Sequence, residues 1–154
     1  KAASKAGGMS IGFSPASSLR EHVYKYRLPI GVYDFINFTG MHYVGRDVHL
    51  VQSSDAVITV GGRFGSLHEF TTALESYVPC GVLLGSGGTA DAIPGLMDQL
   101  EFNKKNLVVM NNDPQDLVDE IIRRLDKEFA DIDASQLTKQ WLKETPSDDH
   151  EHRG

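Results

Sequence analysis

A single cysteine, Cys80, occurs in the 154 residues. That excludes an internal disulfide and any zinc centre built from several thiolates, and it fits a reducing cytosolic compartment. Long apolar runs are missing too: no stretch approaches the ~18 uninterrupted apolar residues that a membrane-spanning helix needs. Positive charge is in short supply, with 15 Lys and Arg against 21 Asp and Glu for a net charge of -6. The basic residues are scattered, which argues against capture of a nucleic-acid backbone but leaves room for one small anion at a local site. The first residues, Lys1 to Ala6, lack the apolar centre of a secretion signal, so the expected location is the cytoplasm.

What remains is an ordinary globular composition, 40% hydrophobic and 23% charged, long enough to bury one core. Short apolar runs at Met9 to Ser14, Asp34 to Thr39, Ala56 to Val60, Gly81 to Leu84 and Leu107 to Met110 read as buried strands. Between them, Val44 to Ser54, Ser66 to Tyr77, Ala90 to Leu100 and Pro114 to Leu125 repeat apolar residues at helical spacing. Asp113 and Pro114 give the last of these a strong start. The βαβα alternation predicts an α/β fold, a Rossmann-like three-layer sandwich with a parallel sheet. In that architecture ligands sit at the carboxyl ends of the strands. Residues 1–126 are expected to form this domain. Residues 127–154 read as a polar tail, with a short helix across Ala134 to Glu144. At the amino end, Lys1 to Ala6 resembles a closing helical turn stopped by Gly7 and Gly8.

The most informative stretch runs from Asp55 to Glu69, where an apolar strand enters Gly61-Gly62-Arg63-Phe64-Gly65-Ser66 and then a helix. Glycines allow a sharp turn and close backbone approach, and the first amides of the helix attract an anion, which makes the stretch a phosphate cradle. A plain structural connection reads equally well, since neither the dinucleotide fingerprint nor the P-loop lysine spacing is present. Ser66-x-x-Glu69 also has the form of a capping box, in which serine and glutamate satisfy each other's backbone amides. Arg46, in the preceding helix, taken by itself reads as a surface charge. His42, His49 and His68 show no recognised zinc spacing with a third ligand, so no metal is expected; His68, beside Glu69, could protonate a departing base. Cys80, following Pro79, reads as a small buried residue.

The spacing of these residues resembles the LOG family of cytokinin-activating phosphoribohydrolases, often labelled possible lysine decarboxylases. The family signature is Pro-Gly-Gly-x-Gly-Thr-x-x-Glu, preceded by an Arg-Lys pair and a Ser-Asp. Laid on this chain without gaps, Arg46-Asp47 takes the place of the first pair and Ser54-Asp55 of the second. Gly62, Gly65, Ser66 (for threonine), Leu67 and Glu69 follow in register. Gly61 replaces the proline, Arg63 the second glycine and Asp47 the lysine. Ala6 to Gly12 resembles the family's third strand and its approach. The first two strands, with their glycine-rich elements, would lie upstream of Lys1. Gly85-Ser86-Gly87-Gly88-Thr89-Ala90-Asp91 is closer to the related molybdenum cofactor carrier proteins.

The resemblance, which covers roughly residues 1 to 125, implies a nucleoside 5′-monophosphate phosphoribohydrolase. In that reading Glu69 and Arg46 are catalytic, with the Glu69 carboxylate stabilising the oxocarbenium character of the ribose or orienting water. Gly61, Gly62, Arg63, Phe64, Gly65, Ser66, Gly87, Gly88 and Thr89 hold the phosphorylated ligand. The Arg63 guanidinium could add a phosphate contact or obstruct one. A non-catalytic carrier of a nucleotide or of molybdenum cofactor is the alternative. No cofactor is implied: a pyridoxal enzyme needs a Schiff-base lysine and a partner for the ring nitrogen, and the spacing singles out neither. The expected partners are a small phosphorylated nucleotide-like ligand and further copies of the chain, as homodimer or larger assembly, with no nucleic acid and no membrane.

Overall fold

The computed structural model describes residues 5–100 and 105–132. The expected tail helix across Ala134 to Glu144 lies outside them. Among the described residues there are five short strands: β1 (Ile11–Ser14), β2 (Phe35–Phe38), β3 (Val57–Val60), β4 (Cys80–Leu83) and β5 (Val108–Asn111). They alternate with helices α1 (Leu19–Tyr24), α2 (His42–Gln52), α3 (Phe64–Glu75), α4 (Gly88–Gln99) and α5 (Pro114–Glu128). Every strand pairing is parallel, and the strands form two sheets, β1-β2 and β3-β4-β5. The expected parallel α/β layering is present. A single continuous sheet is not, because among the described residues no strand bonds β1 to β3.

Burial explains the layers. On β4, Cys80 and Val82 point one way into a core with Phe70, Ala73 and Leu74 of α3 and Ala90, Ile93 and Met97 of α4. Alternate side chains of a strand face opposite sides. Accordingly Leu83 packs on the other face with Val109 and with Leu117, Ile121 and Leu125, the i, i+4, i+8 stripe of α5. Gly81 completes that face, since a Cβ there would touch Ile58, Leu117 and Ile121. Asp113 accepts hydrogen bonds from the amides of Gln115 and Asp116, which caps α5 as its sequence signalled.

Helix α1 was not foreseen from apolar spacing. Its start is a capping arrangement at Ser18: the hydroxyl accepts from the Glu21 amide at 3.2 Å, while the Glu21 carboxylate accepts from the Ser17 amide and hydroxyl, each at 2.8 Å. Helix α2 then crosses from β2 to β3 and packs along α3 as well as on β1. That α2–α3 contact brings the charged residues together. Among the described residues no helix is long and apolar enough to cross a membrane.

Candidate functional site

Strand β3 ends at Val60 and the chain reverses through Gly61 and Gly62, both with positive φ (56° and 95°). Helix α3 begins at Phe64, with Arg63 at the N-cap position and no side chain capping it. The first intrahelical bond runs from the Leu67 amide to the Arg63 carbonyl at 3.0 Å. The amides of Phe64, Gly65 and Ser66 therefore belong to the helix end that has no intrahelical acceptor, where partial positive charge collects. A Cβ at Gly65 would meet nothing within 4 Å, so the approach to these amides is open there.

The second small-residue turn lies directly against the first and is bonded to it. The Thr89 and Ala90 amides donate to the carbonyls of Gly62 (3.2 Å) and Gly61 (3.0 Å), and the Thr89 hydroxyl donates to the Arg63 carbonyl at 2.8 Å. The Ser86 hydroxyl accepts from the Gly61 amide at 2.8 Å, and Asp91 accepts from the amides of Gly85 and Gly87. The start of α4 is thus filled by protein acceptors, and this turn fixes the shape of the Gly61–Ser66 turn. Asp91 secures the loop through these two bonds, and Thr89 ties the start of α4 to Arg63.

Arg46 on α2 and Glu69 on α3 meet across the helix contact, with Nη2 of Arg46 at 3.4 Å from Oε1 of Glu69. The same nitrogen lies 2.7 Å from Oδ1 of Asp47. That approach is close enough for an ion pair but off the hydrogen-bonding direction, so Oδ1 stays buried without a directed hydrogen bond, as does Arg46 Nε. The other Asp47 oxygen, Oδ2, accepts from His68 Nδ1 at 2.9 Å. Burial raises the pKa of Glu69 above its ordinary value, the nearby Asp47 charge raises it further, and Arg46 opposes the shift. The cluster is a half-buried carboxyl beside a guanidinium and an imidazole. A cavity of about 250 Å³ beside β1 has Arg46 in its wall along with Ser14, His22, Tyr33 and Tyr43, and it touches this cluster only there.

Arg46 and Glu69 were foreseen, and the structure brings them together. The capping box across Ser66 and Glu69 is not formed: α3 starts two residues before Ser66, which puts Ser66 inside the first turn and leaves the Glu69 carboxylate to Arg46. Asp47 was noted in the sequence only as a replacement for lysine. Its role as the buried acceptor for His68 spans 21 positions, and no local spacing announces such a contact. Among the described residues no group of three metal-binding side chains gathers.

Parallel strands flanked by helices and a glycine turn opening an uncapped helix define a Rossmann-like α/β protein. The chain belongs to the SLOG cluster4 family, whose profile matches residues 1–118. The LOG-like resemblance carried by the glycine turn is thereby borne out at the level of family. Two solved structures share the fold. The molybdenum cofactor binding protein from the phototrophic bacterium Rippkaea orientalis aligns with TM-score 0.63 and 24% identity, over 80% of this chain and 66% of that one. A structural-genomics target designated TM1055 aligns with TM-score 0.62 and 22% identity, over 79% and 67%. The chain thus spans about two thirds of the length of either. No curated protein matches it.

Proposed function

We propose that the protein hydrolyses the N-glycosidic bond of a nucleoside 5′-monophosphate, releasing the base and ribose 5-phosphate. The observation that carries this reading is the Arg46–Glu69 pair, 3.4 Å apart on neighbouring helices, set beside the uncapped start of α3. The amides of Phe64, Gly65 and Ser66 offer a seat for the 5′-phosphate. Glu69 follows on the same helix, about one turn on, where it would face the ribose. Its carboxylate would stabilise positive charge developing at C1′ and take the proton of the attacking water. Arg46 would hold Glu69 in place beside the ribose. Self-association into a homodimer or larger assembly belongs to the same reading.

The likeness to a molybdenum cofactor binding protein favours one second reading, a non-catalytic carrier that holds a phosphorylated ligand on the same amides. A panel of nucleoside monophosphates separates the two. Free base appearing with wild type and vanishing with Glu69→Gln, at unchanged melting temperature, supports the hydrolase. A ligand that raises the melting temperature without any base release supports the carrier. Neither effect from any phosphorylated compound would refute both.

A further inference from the structure

His68 is not assigned by the reading above, yet it is held in the cluster by a 2.9 Å hydrogen bond to Asp47. We propose that His68 is the general acid that protonates the departing base, held in register by Asp47 as a positioning residue. The proposal rests on the hydrolase reading and adds a second proton-transfer group to it.

Three observations carry it. First, Asp47 Oδ2 lies 2.9 Å from His68 Nδ1. A carboxylate can only accept, so Nδ1 carries the hydrogen, and Nε2 is the nitrogen left to exchange a proton with a ligand. Second, the two ends of this bond differ in burial: the Asp47 side chain is 5% exposed and that of His68 38%. The anchor is inside and the working end reaches solvent. Among the described residues no hydrogen-bond partner occupies His68 Nε2. Third, His68 and Glu69 are consecutive residues of α3 that both reach the Arg46-Asp47 pair of α2, His68 through Asp47 and Glu69 through Arg46. Two side chains able to exchange protons are therefore held against the same Arg46-Asp47 pair, next to each other on one helix.

The step balances. As the C1′–N bond breaks, its electron pair goes to the base nitrogen, which takes the Nε2 proton of the His68 imidazolium and leaves the neutral Nδ1–H ring bonded to Asp47. Water forms the new C1′–O bond and gives a proton to Glu69. Transfer of that proton through solvent to His68 restores the starting state, so the sum is nucleotide plus water giving base and ribose 5-phosphate.

Leaving-group dependence is the test, because a good leaving group departs without protonation. His68→Gln and Asp47→Asn are assayed on adenosine, guanosine, cytidine and uridine monophosphates and on 4-nitrophenyl ribofuranoside 5-phosphate, with melting temperature followed in parallel. The expected result for His68→Gln is a fall in kcat of ~100-fold or more on a nucleotide that wild type cleaves, and less than ~10-fold on the nitrophenyl compound. Asp47→Asn should show the same pattern at reduced size. Equal losses on both kinds of substrate, or no loss on nucleotides, would overturn the assignment while leaving the hydrolase intact. Failure of wild type to cleave any of them would overturn both. A readout independent of turnover is the ¹⁵N spectrum of the wild-type imidazole: the neutral ring left after proton donation should be the Nδ1–H tautomer, held by Asp47, and finding the neutral Nε2–H tautomer instead would also refute the proposal.

Discussion

Gly88 is the residue on which the two small-residue turns interlock, and its replacement by alanine tests that geometry. Gly88 has φ of +57°, and a Cβ built on it would overlap the Gly62 carbonyl oxygen, a backbone atom that cannot swing aside. Relieving the overlap pushes the turns apart and breaks the Thr89-to-Gly62 and Ala90-to-Gly61 hydrogen bonds, now 3.2 and 3.0 Å. Each such bond contributes about 1 kcal/mol, and leaving a buried amide without an acceptor costs about as much again. An alanine in the left-handed region adds ~1 kcal/mol. With two bonds, two orphaned amides and the backbone strain, the total is roughly 5 kcal/mol, which for a domain of this size lowers the melting temperature by about 15 °C. Gly87→Ala is the comparison that isolates backbone strain, because Gly87 has φ +85° and ψ 178°, a region that favours glycine, but a Cβ there meets nothing within 4 Å; it should cost about 1–3 kcal/mol. Thermal melts followed by far-UV circular dichroism decide the matter. Equal melting temperatures for the two variants would refute the interlock. Gly65→Ala, at an open position on the helix, should melt no lower than wild type yet bind nucleotide more weakly.

Other consequences follow from single environments. Because burial and Asp47 raise the Glu69 pKa, the acid limb of kcat/KM for base release should fall above the ordinary carboxylate range, and Asp47→Asn should move it downward; a limb at about pH 4 in wild type would contradict the site. Burial pushes the Cys80 thiol up to about 12, so the folded protein should resist alkylation at neutral pH and react only when denatured. Phe70, 1% exposed in the centre of the core, should cost about 3–5 kcal/mol when cut to alanine, read as a lowered denaturation midpoint.

Much of the layering was legible because it depends on composition at short range. The apolar runs that became β1 to β5, and the three- and four-residue spacing of α2 to α5, are local records of which side faces a core. Two instances of Ser-x-x-Glu show where such legibility stops. At Ser18 and Glu21 the motif caps a helix, with the Glu21 amide 3.2 Å from the serine hydroxyl. At Ser66 and Glu69 the same letters do something else. The glycine turn after β3 starts α3 at Phe64, so the serine is already inside the helix and the glutamate is left for Arg46. The difference lies in what precedes the motif: a Ser-rich loop in one case, a strand turning sharply through two glycines in the other. Arg46 and Glu69 were found through their spacing in a resemblance, but the Asp47–His68 contact depends on how α2 lies against α3, and helix crossing is not written in any window of the chain.

The charge balance of the site has a further consequence for binding. Arg46 already faces two acids, Asp47 at 2.7 Å and Glu69 at 3.4 Å, so the cluster has little positive charge to spare for an incoming phosphate. A phosphate seated on the first amides of α3 would lie about one helical turn from Glu69, within ~8 Å and therefore incompletely screened at physiological salt. Its charge acts in the same direction as Asp47, raising the Glu69 pKa still further in the complex. By linkage, a group whose pKa rises on binding takes up protons as the ligand arrives. Phosphate or nucleotide binding should accordingly draw protons from solution near and above the free-state pKa of Glu69, and affinity should weaken as pH rises through that region. Calorimetric titrations in buffers of different ionisation enthalpy measure the uptake directly. Glu69→Gln should reduce it, and an uptake identical in wild type and variant would show that the anion binds elsewhere.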